Sequence, residues 1–67
     1  MEAIKVSVVV PVYNVDEFLD NTLSDITGQT LREIEIICVD DGSTDNSCKI
    51  IEEWMEKDSR IQLIRQK

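Results

Sequence analysis

Histidine is absent from this sequence. Cysteine and glycine occur twice each, and proline, tryptophan, tyrosine and phenylalanine once each. With no histidine, and with Cys38 and Cys48 too far apart for a CxxC pair, no zinc site of ordinary ligand spacing can be assembled. The two thiols read instead as small apolar groups in a reducing compartment. Basic residues are also few: seven Lys and Arg against fourteen Asp and Glu give a net charge of −7. Scattered as they are, they exclude a nucleic-acid partner, whose phosphates require clustered cations, and a hold on an anionic membrane surface. The longest apolar run, residues 8–12, falls far short of a membrane span or a signal-peptide core. The expectation is therefore a cytoplasmic chain with no membrane segment.

What is present comes in blocks. Apolar residues make up 42% of the 67, grouped rather than diluted, which argues for one small folded domain with a modest core. Val6-Ser-Val-Val-Val-Pro-Val12 is dense in β-branched residues and reads as a buried strand, with Pro11 marking its end because it has no N–H for a ladder. Val15, Leu19, Leu23 and Ile26 then recur at helical spacing. Asn14 and Glu17 fit a capping box at that helix start, Tyr13 and Phe18 fit a hydrophobic staple, and Gly28 fits a terminator with positive φ. Residues 34–39 form a second strand pattern, followed by the turn Asp40-Asp-Gly-Ser-Thr-Asp45. A second helix is expected over 47–57, with Cys48, Ile51 and Met55 inward, Ile50 and Trp54 beside them, and Ser43 or Thr44 as its cap. A short strand at 61–64 closes the pattern. Strand, helix, strand, helix, strand implies right-handed crossovers and a parallel sheet of order 3-2-1, a three-layer α/β half-domain of Rossmann-like type.

Ligands of such sheets bind beyond the carboxyl ends of the strands. The first strand ends in Pro11-Val-Tyr-Asn14 and the second in Val39-Asp-Asp-Gly42. Neighbouring strands lie about 4.8 Å apart, so an aromatic ring and a pair of carboxylates surround one crevice. A dinucleotide fold needs glycines after its first strand; here that turn holds Tyr13, Asn14, Asp16 and Glu17. Such a turn repels a pyrophosphate but tolerates a base and ribose. A carboxylate can accept the ring N–H of uracil, thymine or guanine, whereas cytosine offers only an acceptor there. Tyr13 supplies a flat face on which a base can stack.

The segments residues 6–14, Gly28-Gln-Thr30 and Ile36-Ile-Cys-Val-Asp-Asp-Gly-Ser-Thr-Asp45, in this order and spacing, resemble the successive signatures of family-2 glycosyltransferases. The resemblance covers nearly the whole chain. It implies a GT-A fold, here truncated, and transfer of a sugar from a nucleoside diphosphate, most often UDP. It implies that backbone at Pro11 and Val12 and the ring of Tyr13 surround the base. Asp41 would accept the base N–H, Asp40 would shape the pocket, and Asp16 would approach the nucleoside. Two family elements have no match after Asp58: the Asp-x-Asp that holds a divalent cation (Mn or Mg) on the diphosphate, and the later general base. Residues 1–67 therefore read as the incomplete N-terminal donor-binding segment of a glycosyltransferase domain, with no turnover of their own.

Other readings of the same residues compete with this one. Asp40 and Asp41 can serve a turn, and Tyr13 can be a staple and nothing more. Asp41, Ser43, Asp45 and Glu52 stand at positions 1, 3, 5 and 12 of a calcium loop, but Asn46 occupies the glycine position and a strand precedes. A phosphotransfer receiver needs about twice the length. A non-catalytic α/β module is the alternative from a different class: the strand at 6–12 would lie on an exposed sheet edge and pair with a second copy, giving a homodimer.

Overall fold

The computed structural model of the chain describes residues 6–29 and 33–66. Its elements run β1 (Val6–Val12), α1 (Asp16–Thr27), β2 (Ile34–Asp40), α2 (Ser47–Lys57) and β3 (Ile61–Arg65). The three strands are parallel, with β2 between β1 and β3. This is the expected α/β sheet in the expected order, with β3 one residue longer than its apolar pattern.

Register explains which residues meet the helices. Val8, Ile36 and Ile61 form one row, Val10, Cys38 and Leu63 the next, and Val12, Asp40 and Arg65 the last. Leu19 and Leu23 of α1 and Ile51 of α2 are buried with Val12, Ile34, Ile36, Cys38 and Ile61, while Val10, Val15, Ile26, Ile50, Trp54 and Leu63 pack around them. Burial pushes the Cys38 thiol pKa up to about 11, so this cysteine stays protonated and inert. Both helices cover the same face. Two right-handed crossovers that step the same way across a sheet must do so, and only a reversal of strand order would put helices on the other side. The described residues thus form two layers, and the third layer of the expected architecture has no counterpart among them.

Several local expectations are corrected. The N-cap residues are Val15 for α1 and Asn46 for α2, and neither makes a side-chain capping bond. Asn14 instead adopts a left-handed φ of 51°. Tyr13 and Phe18 are 60% and 64% exposed, so any staple between them adds little to the core. Gly28 ends α1 at φ −85°, not in the left-handed region; a Cβ there would lie 3.1 Å from the Ser24 carbonyl oxygen, and this close approach is what favours glycine. Thr30, at the end of the second signature, lies outside the described residues. On α2 the inward stripe is Ser47, Ile50, Ile51 and Trp54, and Met55 is exposed. The Trp54 indole N–H reaches the Asp20 carboxylate at 2.9 Å, tying the two helices together. At the far end, Arg60 binds the Asp58 carboxylate at 2.7 Å and the Thr27 carbonyl at 3.3 Å, holding the entry to β3 against the end of α1.

Candidate nucleotide-binding site

The carboxyl ends of β1 and β2 are joined beyond the last ladder row. Val12 pairs with Asp40, and the next N–H, that of Asp41, donates to the Val12 carbonyl at 2.9 Å. Tyr13 and Asp41, 28 residues apart in sequence, therefore leave the sheet side by side. They line one cleft of about 570 Å³, with Pro11 and Val12 in its wall. Val9, Val15 and Val39 add apolar surface, and Gln66 reaches the cleft because its N–H donates to the Asp40 carbonyl at 2.7 Å, extending the ladder past β3. Four of the six residues singled out from sequence thus share the cleft.

The other two point elsewhere. Asp40 is only 3% exposed and lies beneath the turn that follows it. Its carboxylate accepts the Ser43 N–H at 3.2 and 3.3 Å. The Ser43 hydroxyl first, then the Cys48 thiol and the Ser43 and Gly42 N–H groups, hold this carboxyl below the usual range, although burial acts in the opposite direction. Gly42 sits at φ +87°, the left-handed conformation that lets the chain fold back over Asp40. Asp16 is turned toward the neighbouring loop, where its carboxylate accepts the Asn46 N–H at 3.2 Å.

That bond belongs to a set that sequence reading missed. The Asn14 N–H donates to Ser43 Oγ at 3.0 Å, and the Asn14 side-chain oxygen accepts the Thr44 N–H at 2.8 Å. The Val15 N–H donates to Ser47 Oγ at 3.1 Å, and the Asp16 N–H to Asp45 Oδ2 at 3.1 Å. Asp45 Oδ1 takes the Ser47 N–H at 2.9 Å. Burial would raise Asp45, but the Ser47 hydroxyl and N–H and the Asp16 N–H outweigh it and hold its carboxyl below the ordinary value. Each helix is thus capped by the acid of the other: Asp45 on the start of α1, Asp16 on the start of α2. The available signal was the parallel register, which sets the two loops next to one another; local capping rules look only along the chain.

This electrostatic arrangement suits a nucleoside better than its phosphates. A helix N-terminus binds phosphate through unpaired N–H groups and a positive dipole end. Here the N–H groups of Val15, Asp16, Asn46 and Ser47 are already engaged, and carboxylates offset both dipoles. The cleft beside them offers an exposed aromatic face and a carboxylate acceptor on mostly apolar walls.

The glycosyl transferase family 2 model matches residues 7–67. The chain belongs to that family. Proteins similar to it include the uncharacterized glycosyltransferase EpsJ of Bacillus subtilis, 44% identical over 61 residues, covering 91% of this chain and 18% of the relative. The glycosyltransferase GlyG of Streptococcus pneumoniae is 48% identical over 61 residues, covering 91% of this chain and 20% of the relative. Among solved structures, the mannosyltransferase PcManGT from Pyrobaculum calidifontis, in complex with GDP-Man and Mn2+, superposes with a TM-score of 0.85 at 26% identity over 98% of this chain and 20% of that one. The family-2 chain therefore has the GT-A arrangement of strands and helices and spans about a fifth of the length of these proteins. No helix among the described residues is long and apolar enough to cross a membrane.

A divalent cation is implied by the family, but the described residues do not fit one. No three His, Cys, Asp or Glu side chains among them are grouped to hold a metal. Asp16, Asp40 and Asp45 already accept backbone N–H groups. For the calcium-loop spacing the obstacle is the same, since both oxygens of Asp45 are committed to Asp16 and Ser47.

Proposed function

We propose that this chain is the donor-nucleotide-binding part of a sugar transferase, and that its cleft holds the nucleoside end of a UDP-sugar. Tyr13 stacks on the base, Asp41 accepts its ring N–H, and backbone at Pro11 and Val12 closes the edge. Asp40 acts from below, holding the turn that presents Asp41. The observation that carries this reading is the joint lining of one cleft by Tyr13 and Asp41. The family membership and the GDP-Man of the structural neighbour support a nucleotide-sugar donor. Uracil and guanine both offer a ring N–H to Asp41, and UDP is preferred because it is the donor most often implied by the family resemblance. The diphosphate points away from the two acid-capped helix starts. Turnover needs groups to neutralise charge on the leaving diphosphate, and we expect none from these 67 residues. The free thiols Cys38 and Cys48 favour a cytoplasmic setting.

Titration of UDP, GDP and CDP against isotopically labelled chain tests the assignment. UDP shifts should cluster at residues 12–14 and 40–42, CDP should bind about tenfold more weakly, and Tyr13→Ala should cost about 1–3 kcal/mol of UDP affinity. Equal binding of UDP and CDP, or shifts scattered over the helices, would sink it.

A second reading rests on a different observation. On the sheet face away from the helices the aliphatic Val9 and Ile64 are exposed, and β1 forms an edge of the sheet. A non-catalytic module that dimerises through β1 with a second copy of itself fits those two features.

A further inference from the structure

The two loops at the cleft are held together by six hydrogen bonds between Asn14, Val15 and Asp16 on one side and residues 43–47 on the other. All six span 29 to 32 residues of sequence, so none helps either loop to form by itself. Neither Tyr13 nor Asp41 takes part through its side chain. Each lies one or two residues before a latched segment: Tyr13 directly precedes Asn14, and Asp41 is separated from Ser43 by Gly42 alone. Both hinge points have left-handed backbone, Asn14 at φ 51° and Gly42 at φ 87°. For asparagine this conformation is uncommon and costs free energy, and here the bonds at its N–H and side-chain oxygen maintain it.

We propose that this cross-capping latch, built from Asn14 and Asp16 on one loop and Ser43 and Asp45 on the other, is a specificity-determining device. It sets the separation of the Tyr13 ring from the Asp41 carboxylate, and so decides which base ring is accepted between them. The proposal rests on the nucleoside reading above. It gives Asp16 and Asp45 a positioning role instead of a ligand contact. A ring stacked on Tyr13 presents its N–H to Asp41 at hydrogen-bonding distance only if the two loop bases keep their spacing, and hydrogen bonds weaken steeply once their geometry is lost. The Asp41-to-Val12 backbone bond pins one end of that spacing. Beyond it, the hydrogen bonds that join the loops among the described residues are those of the latch. Asp45 is its centre, because a single carboxylate receives the starts of both helices. Preorganisation of this kind affects affinity and selectivity together, since a loosened site must be ordered anew at each binding event.

The test compares UDP and CDP binding to the unmodified 67-residue chain, Asp41→Asn, Asp45→Ala and Ser43→Ala, with amide exchange followed in the same samples. Asp45→Ala should weaken UDP about tenfold and bring the UDP-to-CDP preference close to one, with faster exchange at Asp16 and Ser47, whose N–H groups lose their acceptor, while Ile36 and Cys38 stay protected. Asp45→Asn retains one acceptor oxygen and should fall between the two. Ser43→Ala removes the acceptor of the Asn14 N–H together with the hydroxyl that serves Asp40, while the Ser43 N–H still reaches that carboxylate. It therefore carries the same comparison should Asp45→Ala fail to fold. A folded Asp45→Ala or Ser43→Ala chain with unmodified UDP affinity and preference would overturn the latch proposal while leaving the nucleoside site standing. An unmodified chain that binds neither nucleotide, or does not distinguish them, would overturn both. Asp41→Asn alone losing the preference would locate all selectivity at the contact and none in the latch.

Discussion

The two faces of the sheet both carry aliphatic side chains, and these meet opposite fates. Toward the helices stand Val8, Val10, Val12, Ile36, Cys38, Ile61 and Leu63; away from them stand Val9, Pro11, Ile37, Val39 and Ile64, together with the polar Ser7, Glu35 and Gln62. On the covered side Ile36 and Cys38 are fully buried, whereas Val9 is 61% and Ile64 46% exposed. An isolated β1 sequence cannot tell the two apart, because strands buried on both faces carry continuous apolar runs. The far face of β1 and β2 mixes aliphatic residues with the hydrogen-bonded pair Ser7 and Glu35, and the two crossovers cover only the opposite face. At the rim the contrast reverses. There the side chains are polar and are satisfied across the loops, so the part of the molecule nearest the cleft is ordered by hydrogen bonds, and the part beneath the helices by apolar burial.

The largest effect that can test this contrast is in the core. Ile36→Ala should destabilise the chain by about 2–5 kcal/mol, a large share of the stability of so small a domain, whereas Val9→Ala in the adjacent row should shift it by less than about 1 kcal/mol. Denaturant melts of the two variants measure this, and equal losses would mean that both faces are packed. An intermediate effect concerns acid. Because the folded Asp40 and Asp45 carboxyls are held below their ordinary value, they bind protons less readily folded than unfolded. Their contribution is complete above the unfolded pKa of about 4 and is lost as the pH falls through the depressed folded values. Asp40→Asn should flatten part of that acid loss in melts between neutral and acid pH; an unchanged acid profile would remove Asp40 from the account. The smallest effect on stability, and the sharpest on association, is expected from Val9→Lys. A charge on the bare face beside the β1 edge should leave the melt nearly unchanged and abolish self-association in sedimentation velocity. A monomeric unmodified chain at high concentration would end the dimer reading.

Much of the fold was legible because its signals are local. β-branched runs marked β1 and β2, and the spacing of Val15, Leu19, Leu23 and Ile26 marked α1 with its buried stripe. The alternation of elements gave the strand order. The cleft pair was legible for a related reason: Tyr13 and Asp41 each stand one residue past a strand end, and parallel pairing aligns those ends. What failed were rules that seek partners within one turn of helix. Asn14 with Glu17 looked like a capping box, yet Asn14 bonds to Thr44, and the acid serving the start of α1 is Asp45. Met55 looked inward by period, but α2 is rotated to bury Ser47, whose hydroxyl receives the Val15 N–H.

The sequence by itself determined the number, type and order of the elements, the parallel sheet, and the family to which the cleft residues belong. The elements and the sheet follow from side-chain period and from the chirality of crossovers, which act at short range, and the family from the resemblance of the motif segments. Tertiary structure alone decided which face the helices cover, which acid caps which helix, and that Asp16 and Asp40 support the rim while Tyr13 and Asp41 line the cleft. Those outcomes depend on groups about thirty residues apart, whose hydrogen bonds exist only once the sheet has brought the two loops together.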